Sequence, residues 1–212
     1  MIKNNIELDE LERDALTELV NIGVSRAAAS LRKMVNREVL LSVPSVEIVT
    51  RKSAASLIGQ RESESLIAVQ QQFEGPFSGR ALLIFPQSNG LSLVRAIVGD
   101  EINEAGIIEM EDEALAETGN VILNGCLGSM ANMLQHTLKM SIPNVRRGDS
   151  TLLFEALRSN SDENFVLFLY INFSVRERDI RGYIAMIMDL PSLEKLKQLI
   201  ADFIERVMAE DE

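Results

Sequence analysis

ERDALTELVNIG (residues 12–23) and DEALAETGNVILNG (residues 112–125) each place a glutamate three residues ahead of an asparagine inside an otherwise apolar helical pattern. In the first, Leu8, Leu16, Leu19, Val20, Ala27 and Leu31 recur on one side at about 100° per residue, which predicts a long helix over 7–36 with one buried stripe. With Asp14 at the origin of a helical wheel, Glu18 falls at about 40°, Ser25 at about 20° and Asn21 at about 340°, away from the leucines. The second stretch repeats the arrangement: Glu113, Glu117, Asn120 and Asn124 share a narrow sector, with Leu115, Ile122, Cys126 and Met133 opposite. The wheel therefore presents both Glu/Asn pairs to solvent or to a partner.

The copies are in register. Glu18 and Glu117, Asn21 and Asn120, and Pro44 and Pro143 are each 99 positions apart. Between these anchors the order of patterns also repeats. LLSVPSVEIV (40–49) reads as a strand that Pro44 confines to an edge or a strand start, and a short helix is expected at 53–59. ESLIAVQQQFEGPFSGRALLIFP (64–86) reads as a hairpin, followed by a helix at 88–98. A second long helix at 111–139 leads through IPNVRR and TLLFEAL to a further hairpin at 164–190 and a closing amphipathic helix.

A period of about a hundred residues with no Gly/Ser/Pro-rich linker points to an internal duplication. Each half alone would bury little surface, so the expectation is one domain over 1–212, made of halves at about 7–105 and 106–209. The fold class is α+β, an antiparallel sheet packed by helices.

Composition narrows the function. The chain has 212 residues, 46% of them hydrophobic, and 32 acidic against 21 basic residues give a formal net charge of -11, which disfavours nucleic acid as a partner. No apolar run reaches the roughly 18 to 20 residues of a membrane helix, so the expected location is cytoplasmic. Cys126 is the single cysteine and has no zinc-like spacing to other ligands; no metal site is expected. Neither a glycine-rich phosphate loop nor a Ser/His/Asp set is present, which removes most enzyme classes.

The motif Asp/Ser-x3-Glu-x2-Asn-x22-Pro, matched by Asp14, Glu18, Asn21 and Pro44, resembles that of the CheC/CheX/FliY phosphatases of chemotaxis. The second copy matches through Glu117, Asn120 and Pro143, with Glu113 where Asp or Ser is usual. Two copies make the chain most similar to CheC. The resemblance implies hydrolysis of the aspartyl phosphate on the response regulator CheY, and a pseudo-twofold, about six-stranded antiparallel sheet flanked by long helices. It implies that Glu18 and Glu117 orient the partner while Asn21 and Asn120 position the attacking water. Asp14, Glu113, Pro44 and Pro143 would support the site. The protein needs no cofactor of its own on this reading, with Mg²⁺ expected on the phosphorylated partner. The alternative is a non-catalytic adaptor that binds CheY or regulates the receptor deamidase CheD, which the resemblance puts on the closing helix at Leu193, Leu196, Leu199, Ile200, Phe203 and Val207. Most of those residues read equally as core, and monomer and homodimer both stay open.

Other features have plainer readings. Ser25 and Asn124 are expected to solvate their helices or touch a partner's backbone. His136 is expected near the end of the second long helix, where a positive charge suits the helix dipole. Gly119, Gly125 and Gly128 each cost about 1 kcal/mol relative to alanine inside a helix, which predicts close approach of another element. The methionines at 130, 133, 140, 186 and 188 read as core filling.

Overall fold

The structure is a computed structural model and describes residues 7–36, 38–98, 104–155, 165–175 and 178–210. Helix α1 (Glu10–Val35) starts where Asp9 and Glu12 form a reciprocal capping box, the Asp9 carboxylate accepting from the Glu12 N–H at 2.8 Å and Glu12 accepting from the Asp9 N–H at 2.9 Å. It stops at Asn36, whose left-handed φ of 50° ends the helical ladder. Strand β1 (Val39–Thr50) and helix α2 (Arg51–Arg61) follow, then the hairpin β2 (Leu66–Glu74) and β3 (Gly79–Pro86), then α3 (Gln87–Val98). The second series is α4 (Glu104–Met133), β4 (Lys139–Met140), β5 (Asn144–Gly148), α5 (Ser150–Glu155), the hairpin β6 (Phe165–Val175) and β7 (Arg178–Met188), and α6 (Leu190–Glu210).

All strands join one antiparallel sheet in the order β1-β6-β7-β3-β2-β4, with β5 pairing β2 beside β4. This order is palindromic. The central pair β3–β7 carries the pseudo-twofold, and the outer strand of each series hydrogen-bonds to the hairpin of the other: β1 to β6, β5 to β2. Pro44 lies in β1, an edge strand as its missing N–H requires, at a register shift between Ser42 and Ser45. In the second series the matching strand is broken outright, and Pro143 falls between β4 and β5.

The sheet is covered on both faces. One face packs against α1, α3, α4 and α6 through Leu16, Leu19, Val24, Leu93, Leu123, Leu127, Leu196 and Ile200, all essentially inaccessible. The opposite face is capped by α2 and α5 through Ala54, Ile58, Leu153 and Phe154 on Phe168 and Tyr183. The stripe read from the first helix is buried throughout, and Met130, Met186 and Met188 are core residues. So are Leu193, Leu196, Leu199 and Ile200 of the closing helix, whose exposed large hydrophobic residues are Val207 and Met208.

The long helices α1 and α4 cross almost backbone to backbone. A Cβ on Gly23 would lie 2.8 Å from the Cys126 Cα and carbonyl oxygen, and one on Gly125 would lie 2.7 Å from the Ala27 Cβ. Gly119 serves a different neighbour: its Cβ would meet the Val69 side chain at 2.5 Å, so α4 rests directly on β2 there. The expectation fails for Gly128, which has nothing within 4 Å of such a Cβ. The expected helix to residue 139 also ends early, at Met133. There Gln135 takes a left-handed φ of 61° and the His136 N–H donates to the Ala131 carbonyl at 2.8 Å, the hydrogen-bond pattern of a Schellman stop. His136 is therefore in the turn beyond the helix, as the chain swings round to pair Met140 with Phe73.

Candidate functional site

Glu18 and Glu117 are exposed on α1 and α4, and among the described residues neither has a hydrogen-bond or salt-bridge partner. Asp14 and Glu113, one turn earlier, are exposed too. The acidic residues just before Glu113 are otherwise engaged: Arg147 of β5 reaches Glu111 at 3.3 Å and Asp112 at 2.5 Å, tying the first half of α4 to the sheet edge. Glu113 and Glu117 are left as carboxylates open to a partner. Being exposed, each would contribute only about 0 to 1 kcal/mol as an ion pair, enough to orient and little more.

The asparagines sit differently from the wheel's expectation. Both are half-buried at the seam between helix and sheet edge, because the sector near 340° borders the strand that each helix lies along. Asn21 grips one residue at both ends. Its Oδ1 accepts from the Val43 N–H at 3.1 Å and its Nδ2 donates to the Val43 carbonyl at 3.4 Å. The register shift in β1 explains this: Val43 and Pro44 have no pairing partners on β6, so the buried Val43 backbone groups must be satisfied from elsewhere. One N–H and one lone pair of the Asn21 carboxamide remain available.

Asn120 makes no such grip. Ile142, which corresponds to Val43, is 89% exposed, and the Asn120 Oδ1 accepts instead from Gln71 Nε2 at 2.9 Å and from Asn124 Nδ2 at 2.8 Å. Gln71 is inaccessible and donates its second N–H to the Ser141 carbonyl at 2.8 Å. Ser141 is itself fixed to β2, its N–H donating to the Gln72 carbonyl and its Oγ accepting from the Gln72 N–H, both at 2.9 Å. Asn124 thus does not solvate α4: its amide supports Asn120, and its own Oδ1 is buried without a partner among the described residues. Ser25, its counterpart on α1, is exposed.

Gln71 was not marked by the Glu/Asn pattern. The available signal was the run Gln70-Gln71-Gln72 in an otherwise apolar strand, where a buried amide demands partners. The two sites lie at opposite edges of the sheet, one beside β1 and one beside β4 and β5. Elsewhere, a groove of about 800 Å³ on the α2/α5 side is lined by Arg61, Glu62, Tyr170, Arg181 and Tyr183, with Arg61 stacked 4.2 Å from the Tyr170 ring centre and the Tyr183 hydroxyl donating to Glu62. Among the described residues no group of His, Cys, Asp and Glu could hold a metal ion, and no helix is long and apolar enough to cross a membrane.

The model for the chemotaxis phosphatase CheX matches residues 67–168, and that for the CheC-like family matches residues 11–48. The chain belongs to the CheC/CheX/FliY family. It is 26% identical over 97% of its length to the flagellar motor switch phosphatase FliY of Bacillus subtilis, and spans about half (53%) of that relative. It is 23% identical to the CheY-P phosphatase CheC of the same organism, covering 89% of this chain and 93% of the relative. Among solved structures, Thermotoga maritima FliY superposes with a TM-score of 0.72 at 19% identity, covering 92% of this chain and 98% of that one. The FliM middle domain from H. pylori shares the fold at a TM-score of 0.60 and 8% identity, covering 91% of this chain and 99% of that one. One fold thus serves differently named proteins, and activity must be argued from the site.

Proposed function

We propose that this protein hydrolyses the aspartyl phosphate of a CheY-like response regulator, using Glu18 with Asn21 and Glu117 with Asn120. The observation that carries the reading is that each helix offers outward a carboxylate unpartnered among the described residues, with a half-buried carboxamide one turn on, at opposite sheet edges. The family's phosphatase names and the motif spacing support it.

In this scheme each glutamate meets a cation beside the regulator's phosphorylated aspartate and sets the docking angle. The carboxamide then holds a water in line with the phosphorus, where the new P–O bond forms as the bond to the aspartyl oxygen breaks. The carboxylate leaves with the bonding pair, and the water's proton passes to the released phosphate or to solvent. An acyl phosphate already carries a good leaving group, so placement is the main requirement and no side chain needs a shifted pKa. A Mg²⁺ on the partner would neutralise phosphoryl charge.

Phosphate release from a phosphorylated CheY-type regulator, measured with Asn21→Ala, Asn120→Ala and the double variant, tests the proposal. Each single variant is expected to keep part of the rate and the double variant to lose it; a double variant that matches the unsubstituted protein overturns the reading. The adaptor alternative at α6 is weakened by the burial of Leu193, Leu196, Leu199 and Ile200.

A further inference from the structure

The two sites differ at a buried polar position. Ser45 and Asn144 each follow the motif proline; their cross-strand partners are Tyr170 and Gln70. The next residue along each hairpin strand is then the counterpart of the other: Ile171 beside the first site, Gln71 beside the second. Ile171 is an apolar core residue, whereas Gln71 is a carboxamide with 1% exposure. Burying an amide where an isoleucine fits carries a desolvation cost, and here it is only partly offset, since among the described residues the Gln71 Oε1 has no partner.

The orientation of the whole amide chain follows from one backbone group. The Ser141 carbonyl can only accept, so the Gln71 atom 2.8 Å from it is the NH₂ group. The second hydrogen of that NH₂ points to Asn120, whose facing atom must therefore be Oδ1. Asn124, 2.8 Å from the same oxygen, must present its NH₂ as well. Both lone pairs of the Asn120 Oδ1 are consumed, and among the described residues both of its N–H bonds are left over. Gly119 makes this possible, because without a side chain there α4 sits against Val69 and brings Asn120 within reach of the β2 residue two positions on. At the matching place on α1 stands Val20, and Asn21 turns to Val43 instead.

We propose that Gln71, from a strand of the first half, is the positioning residue for Asn120 in the second, clamping that carboxamide so that it meets the phosphoryl group and its water as a hydrogen-bond donor only. Asn21 keeps one donor and one acceptor. The sites are thereby unequal: the first can orient a water through the water's own proton, the second through its lone pair or through a phosphoryl oxygen. This inference rests on the phosphatase reading of the asparagines.

The test isolates the second site in an Asn21→Ala background and adds Gln71→Leu, which keeps the packing volume that Ile171 shows the fold accepts. The expected result is a loss of about ten- to a hundredfold in kcat, as for a misplaced reacting group, with KM changed less than about twofold. Asn120→Ala and Gln71→Leu are expected to be non-additive in that background. Turnover that depends on Asn120 but is indifferent to Gln71→Leu overturns this inference and leaves the phosphatase reading standing; turnover indifferent to both asparagines overturns that reading itself. A second measurement needs no variant. In the unsubstituted protein the Gln71 side-chain NH₂, bonded through both hydrogens, is expected to exchange with solvent at least about tenfold more slowly by NMR than the Asn120 NH₂. Equal exchange of the two overturns the clamp.

Discussion

Asn21 holds Val43 by both its N–H and its carbonyl, at 3.1 and 3.4 Å, and so replaces the strand pairing that β1 loses at its register shift. The same side chain is the proposed water-positioning group. Asn21→Ala is therefore expected to lower stability by about 1 to 3 kcal/mol as well as turnover, since a buried N–H loses its partner. Asn120→Ala strands one side-chain N–H of the buried Gln71, against both the N–H and the carbonyl of Val43 for Asn21→Ala, and is expected to cost less. Urea denaturation of the two variants checks this order.

Glu18→Lys and Glu117→Lys are expected to raise KM for the phosphorylated regulator while changing the melting temperature by less than about 2 °C. Both carboxylates are exposed and unpartnered among the described residues, and surface changes away from packed features fall within about 0.5 kcal/mol. The KM effect is expected to shrink with added salt. Titrating turnover against regulator concentration at two ionic strengths measures it.

Gly23→Ala and Gly128→Ala are expected to move stability in opposite directions. A methyl on Gly23 would press on the Cys126 backbone at 2.8 Å, which neither helix can yield without parting, whereas Gly128 has open space. Gly128→Ala is expected to gain up to about 1 kcal/mol from helix propensity alone. Thermal melts of the pair decide the point.

Cys126 is expected to resist thiol reagents in the native protein and to react fully in denaturant. Burial against α1 pushes its thiol up to about 12, so the reactive thiolate is scarce at neutral pH and unreachable besides. Because the folded value is raised, the native state favours the protonated thiol. The stability this contributes is complete below the unfolded thiol's ordinary pKa and is lost as pH climbs towards about 12. Labelling time courses with and without denaturant test the assignment.

Much of the fold was legible because its determinants are local and periodic. The stripe from Leu8 to Leu31 marked α1, Pro44 marked an edge or a strand start, and the 99-residue register of Glu18 with Glu117 exposed the repeat. The end of α4 was not legible, since its stop is a left-handed Gln135 without the usual glycine, chosen by the need to bring Met140 to Phe73. The surroundings of the asparagines were hidden for a similar reason. A helical wheel knows the angle of a side chain but not which strand runs beside it, so the contacts of Asn21 to a residue 22 positions on and of Asn120 to one 49 positions back depend on the completed sheet.

Because β1 is stitched to β6 and β5 to β2, the repeat is not a pair of beads. Each series lends its outermost strand to the other, so a fragment bearing one complete motif would still carry an unclosed border and a bare helix flank. Cleaving the chain midway should give two pieces that hold together or fail together, and neither could be deleted while sparing its twin.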